Sequence, residues 1–252
     1  MDLQRLMSLT RKAIDEYRMI SDDDHIAIGV SGGKDSLTLL CALAGLRRFY
    51  PHPFRLTAVT VDLGYPQAAE ALQPIRELCG SLEVPYYVVP SEIASVVFDI
   101  RRESNPCSLC AKLRKGAFNT AARELGCNKV AYAHHKDDLV ETMLLSLIYE
   151  SRFFCFSPVT YLDRMDLTVI RPMMYVEESE VIGFQKANQL PVFHNPCPAD
   201  GNTRRAYVKD LVRRLTKENP GAKDRFFSAI LNGNIPGWPE KTEIVRHNRQ
   251  NL

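Results

Sequence analysis

Short apolar stretches alternate with segments of helical spacing along the first 150 residues, and this alternation constrains the fold more than any other feature. The first stretch, residues 25–30, is typical of a buried strand. Strand and helix in turn indicate a parallel sheet covered by helices on both faces. We therefore expect an α/β fold with a doubly wound parallel sheet. The predicted strands cover residues 25–30, 55–62, 86–90 and 129–133, and the predicted helices cover 37–46, 67–80, 112–125 and 138–149.

The segments on either side of this pattern are expected to flank the sheet. Helical spacing in residues 2–19 predicts an N-terminal helix within 1–24. An α/β domain is expected over 25–190, with an insertion near 101–116. Residues 191–252 are expected to form a small C-terminal extension with a loop, a basic helix and a tail. The weaker patterns after residue 150 predict a strand at 168–172 and helices at 177–188 and 204–217.

The composition limits where the protein works. Hydrophobic residues make up 45% and charged residues 25% of the 252 residues, which is ordinary for a soluble globular protein. No apolar run approaches the ~20 residues that span a bilayer. The first residues form a polar helical pattern rather than a signal sequence. We expect a cytoplasmic protein with no membrane partner. The cysteines number seven, an odd count that argues against a disulfide framework.

Basic residues cluster although the net charge is only +2. Such clusters suit a polyanion bound at one face, and solvated helix faces explain them equally well. The clusters lie in segments 45–55, 101–115 and 204–217.

A glycine-rich turn, residues 31–36, follows the first predicted strand and leads into a helix. Ligands bind at this place in open parallel sheets. The two glycines allow backbone N–H groups and the positive helix N-terminus to face an anion, and the lysine and the serines can add donors. Asp35 among these donors suits a bridging Mg²⁺. A turn without a ligand is the alternative.

The turn resembles the SGGxDS signature of the PP-loop ATP pyrophosphatases. The resemblance implies an adenine nucleotide alpha-hydrolase-like domain that binds pyrophosphate in the turn and cleaves ATP between its α and β phosphates. The end of the second strand is where this family contacts adenosine, although a carboxylate there can equally cap the next turn. The ATP-binding residues expected from the resemblance are Ser31, Gly32, Gly33, Lys34, Asp35, Ser36, Val61, Asp62, His134 and Asp138.

A second polar cluster, AHHKDDLVET from Ala133 to Thr142, follows the fourth predicted strand. Histidines and aspartates at a strand end lie where ligands bind. The segment resembles the GHHxDDxxET segment of the tRNA 2-thiocytidine synthetase family, with Ala133 in place of the glycine. The acids of this segment are suited to holding Mg²⁺ or transferring protons, and we expect Asp137 to act with Asp35 in catalysis.

Three of the cysteines lie outside apolar surroundings. Cys107 and Cys110 form a CxxC, which alone could be half of a zinc site, a redox pair or chance. CSLC with the following AKLRKG resembles the CSLCxxLRRG stretch of the same family, and Cys197 aligns with its third cluster cysteine. The resemblance implies a [4Fe–4S] cluster held by Cys107, Cys110 and Cys197. The family usually has another cysteine where this chain has His194.

The resemblance, over roughly residues 5–235, implies ATP-dependent thiolation of tRNA. The expected product is 2-thiocytidine, formed at the anticodon-loop cytidine 32 by adenylation of the C2 oxygen and replacement by cluster-delivered sulfur. The expected partners are tRNA, a sulfur donor (a cysteine desulfurase or free sulfide) and a second copy in a homodimer. The expected RNA-binding residues are Arg101, Arg102, Arg114, Lys115, Arg204, Arg205, Lys209 and Arg213.

Three alternatives remain open at this point. A 2-thiouridine synthetase of the related branch shares the PP-loop and the three cysteines, but it carries extra zinc-binding CxxC pairs that this sequence lacks. A persulfide on Cys110 or Cys197 would transfer sulfur without a cluster. An RNA-binding module without turnover is the third alternative, and the intact Ser31, Asp35 and Ser36 argue against it.

Overall fold

In the computed structural model of the protein, residues 1–65, 68–101, 106–193, 204–233, 235, 237 and 238 are described. The strands are β1 (Asp24–Gly29), β2 (Phe54–Val61), β3 (Tyr86–Val89), β4 (Lys129–Ala131), β5 (Val159–Leu162) and β6 (Leu167–Ile170). They form one six-stranded sheet in the order β3-β2-β1-β4-β6-β5. All neighbours pair in parallel except β5 and β6, which are antiparallel. The expected doubly wound α/β fold is confirmed, with one antiparallel edge strand added.

Helices connect and cover these strands. Among the described residues they are α1 (Leu3–Glu16), α2 (Lys34–Arg47), α3 (Ala68–Ala71), α4 (Gln73–Ser81), α5 (Ile93–Ser95), α6 (Pro106–Glu124), α7 (Lys136–Glu150), α8 (Glu178–Ala187), α9 (Arg204–Glu218) and α10 (Ala222–Asn232), with a π-helical segment at Val96–Arg101 after α5. None of these helices is long and apolar enough to cross a membrane.

Alternate side chains of β1 enter two different cores. Ile26 and Ile28 pack with α1, α2 and α7 on one face of the sheet, and Ala27 packs with Phe118 of α6 on the other. Helix α2 is apolar nearly all round and buried along most of its length, as expected for a helix covered on several sides. Because both faces are covered, polar ligands have access mainly at the edges where the strands end.

The strand order determines where along the sheet a ligand site can form. The chain runs from β1 to β2 and β3 on one side and then returns to β4 on the other side of β1. The connections that follow β1 and β4 therefore diverge at the carboxyl edge, and such a switch point opens a crevice in doubly wound sheets. The glycine-rich turn follows β1, and the AHHKDDLVET segment spans the end of β4 and the start of α7.

Several observed elements differ from the predicted ones: the helix predicted at 67–80 is divided into α3 and α4, and α5 and α10 were not predicted. The helix predicted at 112–125 begins earlier, at Pro106, so the CxxC lies within its first five residues. Strand β5 was not predicted, because it pairs antiparallel with the next strand, β6, and so lies outside the alternation of strand and helix on which the prediction rested. The predicted domain boundaries at 24 and 190 stay predictions.

Candidate active site

A cleft of about 450 Å³ opens at the carboxyl edge between the ends of β1 and β4. It is lined by residues at or just after the ends of β1, β2, β4 and β6, and by residues of α6. The expected site residues among them are Ser31, Asp35, Ser36, Val61, Arg114, Lys115, His134 and Asp138. The structure therefore brings together parts of the two sequence motifs and two of the residues expected to bind RNA.

The glycine-rich turn leaves the N-terminus of α2 open to a ligand. Gly33 caps the helix without any side-chain hydrogen bond, so the amide groups of the first turn keep donors for an anion. Gly32 has φ +83°, and a Cβ there would lie 3.2 Å from the Cβ of Phe193. The Gly32 carbonyl accepts a 2.9 Å hydrogen bond from the Phe193 amide. A side chain at position 32 would therefore strain the turn and disturb this contact.

Lys34 is held by two carboxylates. Its Nζ lies 3.0 Å from Asp35 Oδ1 and 3.2 Å from Glu178 Oε1. Lys209 of α9 lies 2.6 Å from the same Glu178 oxygen. Burial alone would raise the pKa of Glu178, but Lys209 and Lys34 outweigh it and lower this pKa to about 2. The turn is therefore tied to α8 and α9 through one ionised glutamate.

The start of α7 is capped by its own side chains. His135 Nδ1 accepts from the Asp138 amide, and Asp138 Oδ2 accepts from the His135 amide at 3.0 Å. The other Asp138 oxygen accepts from Arg205 of α9 at 3.0 Å. His135 Nε2 lies 3.6 Å from Asp35, which links the two motifs across the cleft. Asp138 is thus fixed in position at the cleft wall.

Asp137 and Asp62 do not line the cleft, although both were expected at the site. Asp137 Oδ2 accepts from the Glu178 amide at 2.7 Å, and its Oδ1 accepts from Lys223 at 3.0 Å. Asp62 accepts from the Gly64 amide at 2.9 Å and so caps the turn that follows β2. Their contacts are those of residues that hold loops and helix ends, and their assigned roles stay predictions.

Arg171, which follows β6, was missed from the sequence. It lines the cleft, is only 8% exposed, and donates through Nε to His134 Nδ1 at 3.1 Å. The His134 ring stacks on Phe156 with 4.4 Å between ring centroids. Burial, together with the charge of Arg171, lowers the pKa of His134 to about 3, so the imidazole is neutral at physiological pH. An arginine at the end of an apolar strand was the signal that could have found this residue.

The CxxC lies beside the cleft. Cys107 is exposed and Cys110 is half-buried, and both lie within the first five residues of α6. Ala111 and Arg114, further along this helix, line the cleft. Cys197 lies outside the described residues. Among the residues that are described, no group of three potential metal ligands comes together.

The other expected RNA-binding residues differ in their surroundings. Arg205 also lies 3.4 Å from Glu141, and Arg213 forms an exposed pair with Asp210 at 3.0 Å. Arg204 lies over the ring of Tyr149, with 4.8 Å to the centroid. Arg101 ends the π-helical segment with an exposed side chain, and Arg102 lies outside the described residues.

Comparison with known proteins agrees with this architecture. Residues 4–218 match the family model described as PP-loop domain. The tRNA-cytidine(32) 2-sulfurtransferase of Geobacter sulfurreducens is 38% identical over 232 residues, which cover 91% of this chain and 90% of the relative. The protein of the same name from Cupriavidus taiwanensis is 35% identical over 242 residues, covering 95% of this chain and 78% of the relative.

A solved structure shows the same fold. It is described as the U34-tRNA thiolase NcsA from Methanococcus maripaludis with its [4Fe-4S] cluster. The TM-score is 0.76 at 23% identity, and the alignment covers 91% of this chain and 78% of that one. With the family match and the relatives above, the chain belongs to the PP-loop family and, within it, to the family of the tRNA-cytidine(32) 2-sulfurtransferases.

Proposed function

We propose that the protein is an ATP-dependent tRNA thiolase that converts cytidine 32 of the anticodon loop into 2-thiocytidine. The relatives at 35–38% identity carry the name of this activity. The observation that carries the proposal is one cleft lined by both the glycine-rich turn and the helix of the CxxC. An activating nucleotide and a sulfur source would therefore meet at one base.

ATP serves to make the C2 oxygen of cytidine a leaving group. That oxygen attacks the α-phosphate, pyrophosphate departs, and the base carries AMP. The uncapped amide groups at the start of α2 stabilise the departing pyrophosphate, together with Ser31 and Ser36. Asp35 and Asp138 line the same cleft and supply carboxylate oxygens suited to Mg²⁺.

The cysteines fit an iron–sulfur cluster in their donor chemistry. Cys107 and Cys110 lie three residues apart on α6, so their thiols share one side of the helix, and thiolates are the ligands of such clusters. Cys107, Cys110 and Cys197 would hold a [4Fe–4S] cluster. When bound, the cluster would supply sulfide as the nucleophile that replaces AMP at C2.

The position of Cys197 in the chain supports its part in this set. Its segment, 194–203, lies outside the described residues, and the described residues on either side of it contact the two sequence motifs. Phe193 donates to the glycine-rich turn at Gly32, and Arg205 donates to Asp138. The described residues before and after the segment that contains Cys197 therefore each contact one of the two sequence motifs.

An RNA surface is proposed at the end of α7 and the start of α9. Tyr149, Phe154 and Tyr207 are exposed there, and Arg204 and Arg152 lie over the first two rings. Aromatic rings and guanidinium groups stack with unpaired bases of RNA loops. Cytidine 32 has to leave its stack to reach the cleft, which such a surface favours.

The proposal also includes the sulfur donor, the oligomeric state and the cellular location. A cysteine desulfurase or free sulfide is the proposed sulfur donor. A homodimer and a cytoplasmic location are proposed in keeping with the tRNA substrate.

Iron and acid-labile sulfide analysis on anaerobically purified protein tests the sulfur chemistry. We expect about four of each per chain, with loss in Cys107→Ala and in Cys197→Ala. Cys127→Ala is the matched control, because burial raises the pKa of that thiol to about 11 and keeps it protonated. Zinc, or no metal in the wild type, would contradict the cluster and favour persulfide transfer.

Formation of 2-thiocytidine in an unmodified tRNA transcript, measured with ATP and sulfide, tests the reaction itself. AMP and pyrophosphate should appear together with the product. Thiolation of uridine in place of cytidine would assign the enzyme to the other branch of tRNA thiolases.

A further inference from the structure

Arg171 is a buried cation without an acidic partner among the residues that the structure describes. Its hydrogen-bond acceptors are all uncharged: the Ser157 carbonyl at 2.5 Å, Thr160 Oγ1 at 3.4 Å and His134 Nδ1 at 3.1 Å. These bonds use Nε and Nη1 and leave Nη2 without an acceptor in the described chain. Burying an uncompensated charge costs free energy, so a residue that lines a cleft in this state is suited to an external anion.

The neighbours of Arg171 also present donors. Because His134 Nδ1 accepts from Arg171, the ring hydrogen of the neutral imidazole lies on Nε2. Lys115 lines the same cleft from α6. Burial lowers the pKa of Lys115, and the positive charge of Arg171 lowers it further. An anion between these groups would relieve that repulsion.

The carboxylates of the cleft do not offset this charge. Asp35 is paired with Lys34 at 3.0 Å, and Asp138 is paired with Arg205 at 3.0 Å. The wall formed by α6 and the end of β6 therefore keeps its positive charge for a ligand.

We propose that Arg171, Lys115 and His134 form a second phosphate-binding site in the cleft, separate from the glycine-rich turn. The inference rests on the proposed function, in which a nucleotide and an RNA share the cleft. Two sources can supply the phosphate: the α-phosphate of the nucleotide, or the backbone phosphate of the RNA nucleotide that enters.

Calorimetric binding of three probes separates these sources: AMP, adenosine and an unmodified tRNA transcript. The variants are Arg171→Gln and Lys115→Gln, with Lys112→Gln as the matched control on the same helix. If the nucleotide supplies the phosphate, both variants bind AMP about 10-fold more weakly and bind adenosine as the wild type does. If the RNA supplies it, AMP binding is unchanged, tRNA binding weakens, and the salt slope falls by about one.

Lys115→Gln decides between the sources if Arg171→Gln fails to fold, because Lys115 is much less buried than Arg171. Unchanged affinity of folded variants for both AMP and tRNA would overturn the inference. These measurements require binding and no turnover. Wild-type protein that binds AMP but makes no 2-thiocytidine would contradict the proposed function and leave the phosphate site standing.

Discussion

The cations on the two sides of the cleft differ in their partners. On the side of α8 and α9, every cation named at the cleft has a carboxylate within 3.2 Å. On the side of α6 and the end of β6, none of the cleft-lining cations forms an ion pair with another described residue. The paired cations are Lys34, Arg205 and Lys209, which lie next to the cleft without lining it, and the unpaired cations are Arg114, Lys115 and Arg171, which line it.

This difference separates the charges that stabilise the fold from the charges that are available to bind a ligand. A paired charge recovers part of its desolvation cost within the protein and fixes two segments relative to each other. Arg171, which is buried and has no acidic partner among the described residues, recovers more of that cost when an anionic ligand binds. Substitutions on the first side should therefore act on stability, and substitutions on the second side should act on binding.

The largest effect is expected at Asp35, which lines the cleft and pairs with Lys34. Asp35→Asn should lower AMP formation by a factor on the order of 10²–10³, because a carboxylate suited to Mg²⁺ is lost beside the phosphates. AMP release in the presence of tRNA is the measurement. Asp210→Asn, at an exposed carboxylate of α9, is the control. Turnover at the normal rate in Asp35→Asn would remove Asp35 from catalysis.

Glu178→Gln tests the paired side. It leaves Lys34 and Lys209 without their shared carboxylate and should destabilise the protein by about 2 kcal/mol, measured by urea unfolding at pH 7. The pKa of Glu178 is lowered in the folded protein from 4.5 to about 2. Its contribution is therefore complete above about pH 4.5 and is lost as the pH falls towards 2. A difference between variant and wild type that grows below pH 4.5 would contradict this assignment.

Arg114→Gln tests the unpaired side. We expect its melting temperature to match the wild type, while affinity for nucleotide or tRNA falls about 10-fold, because a ligand loses one charged contact. Calorimetry and thermal unfolding on the same preparation give both values. A stability loss as large as that of Glu178→Gln would abolish the distinction between the two sides.

The smallest effect is expected at Arg213, which forms a solvent-exposed pair with Asp210 and does not line the cleft. Arg213→Gln should change the free energy of unfolding by less than about 0.5 kcal/mol. If this arginine contacts an RNA phosphate, the salt slope of tRNA binding falls by about one. An unchanged salt slope would mean that Arg213 contacts no RNA phosphate.

Much of the fold and of the site could be predicted from local pattern. The strand, turn and helix around residues 25–46 were predicted because strand and helix periodicities are read within a few residues. Each motif was expected at a strand end, where ligands bind in open parallel sheets, and the pairing of β1 with β4 brings the two ends together. Strand β5 was missed because it is antiparallel to the following strand β6, with no helix between them, and so does not follow the alternation of strand and helix.

The sequence by itself determined the alternation of strand and helix, the glycine-rich turn and the family to which the chain belongs. Only the tertiary structure decided which of two adjacent aspartates faces the cleft. Successive residues of a helix point about 100° apart, so Asp138 lines the cleft while Asp137 contacts α8 and α10. The structure also decided which cations are paired, because ion pairs such as Lys209–Glu178 and Arg205–Asp138 join residues far apart in the chain. Local sequence carries periodicity, whereas charge pairing depends on where distant side chains meet.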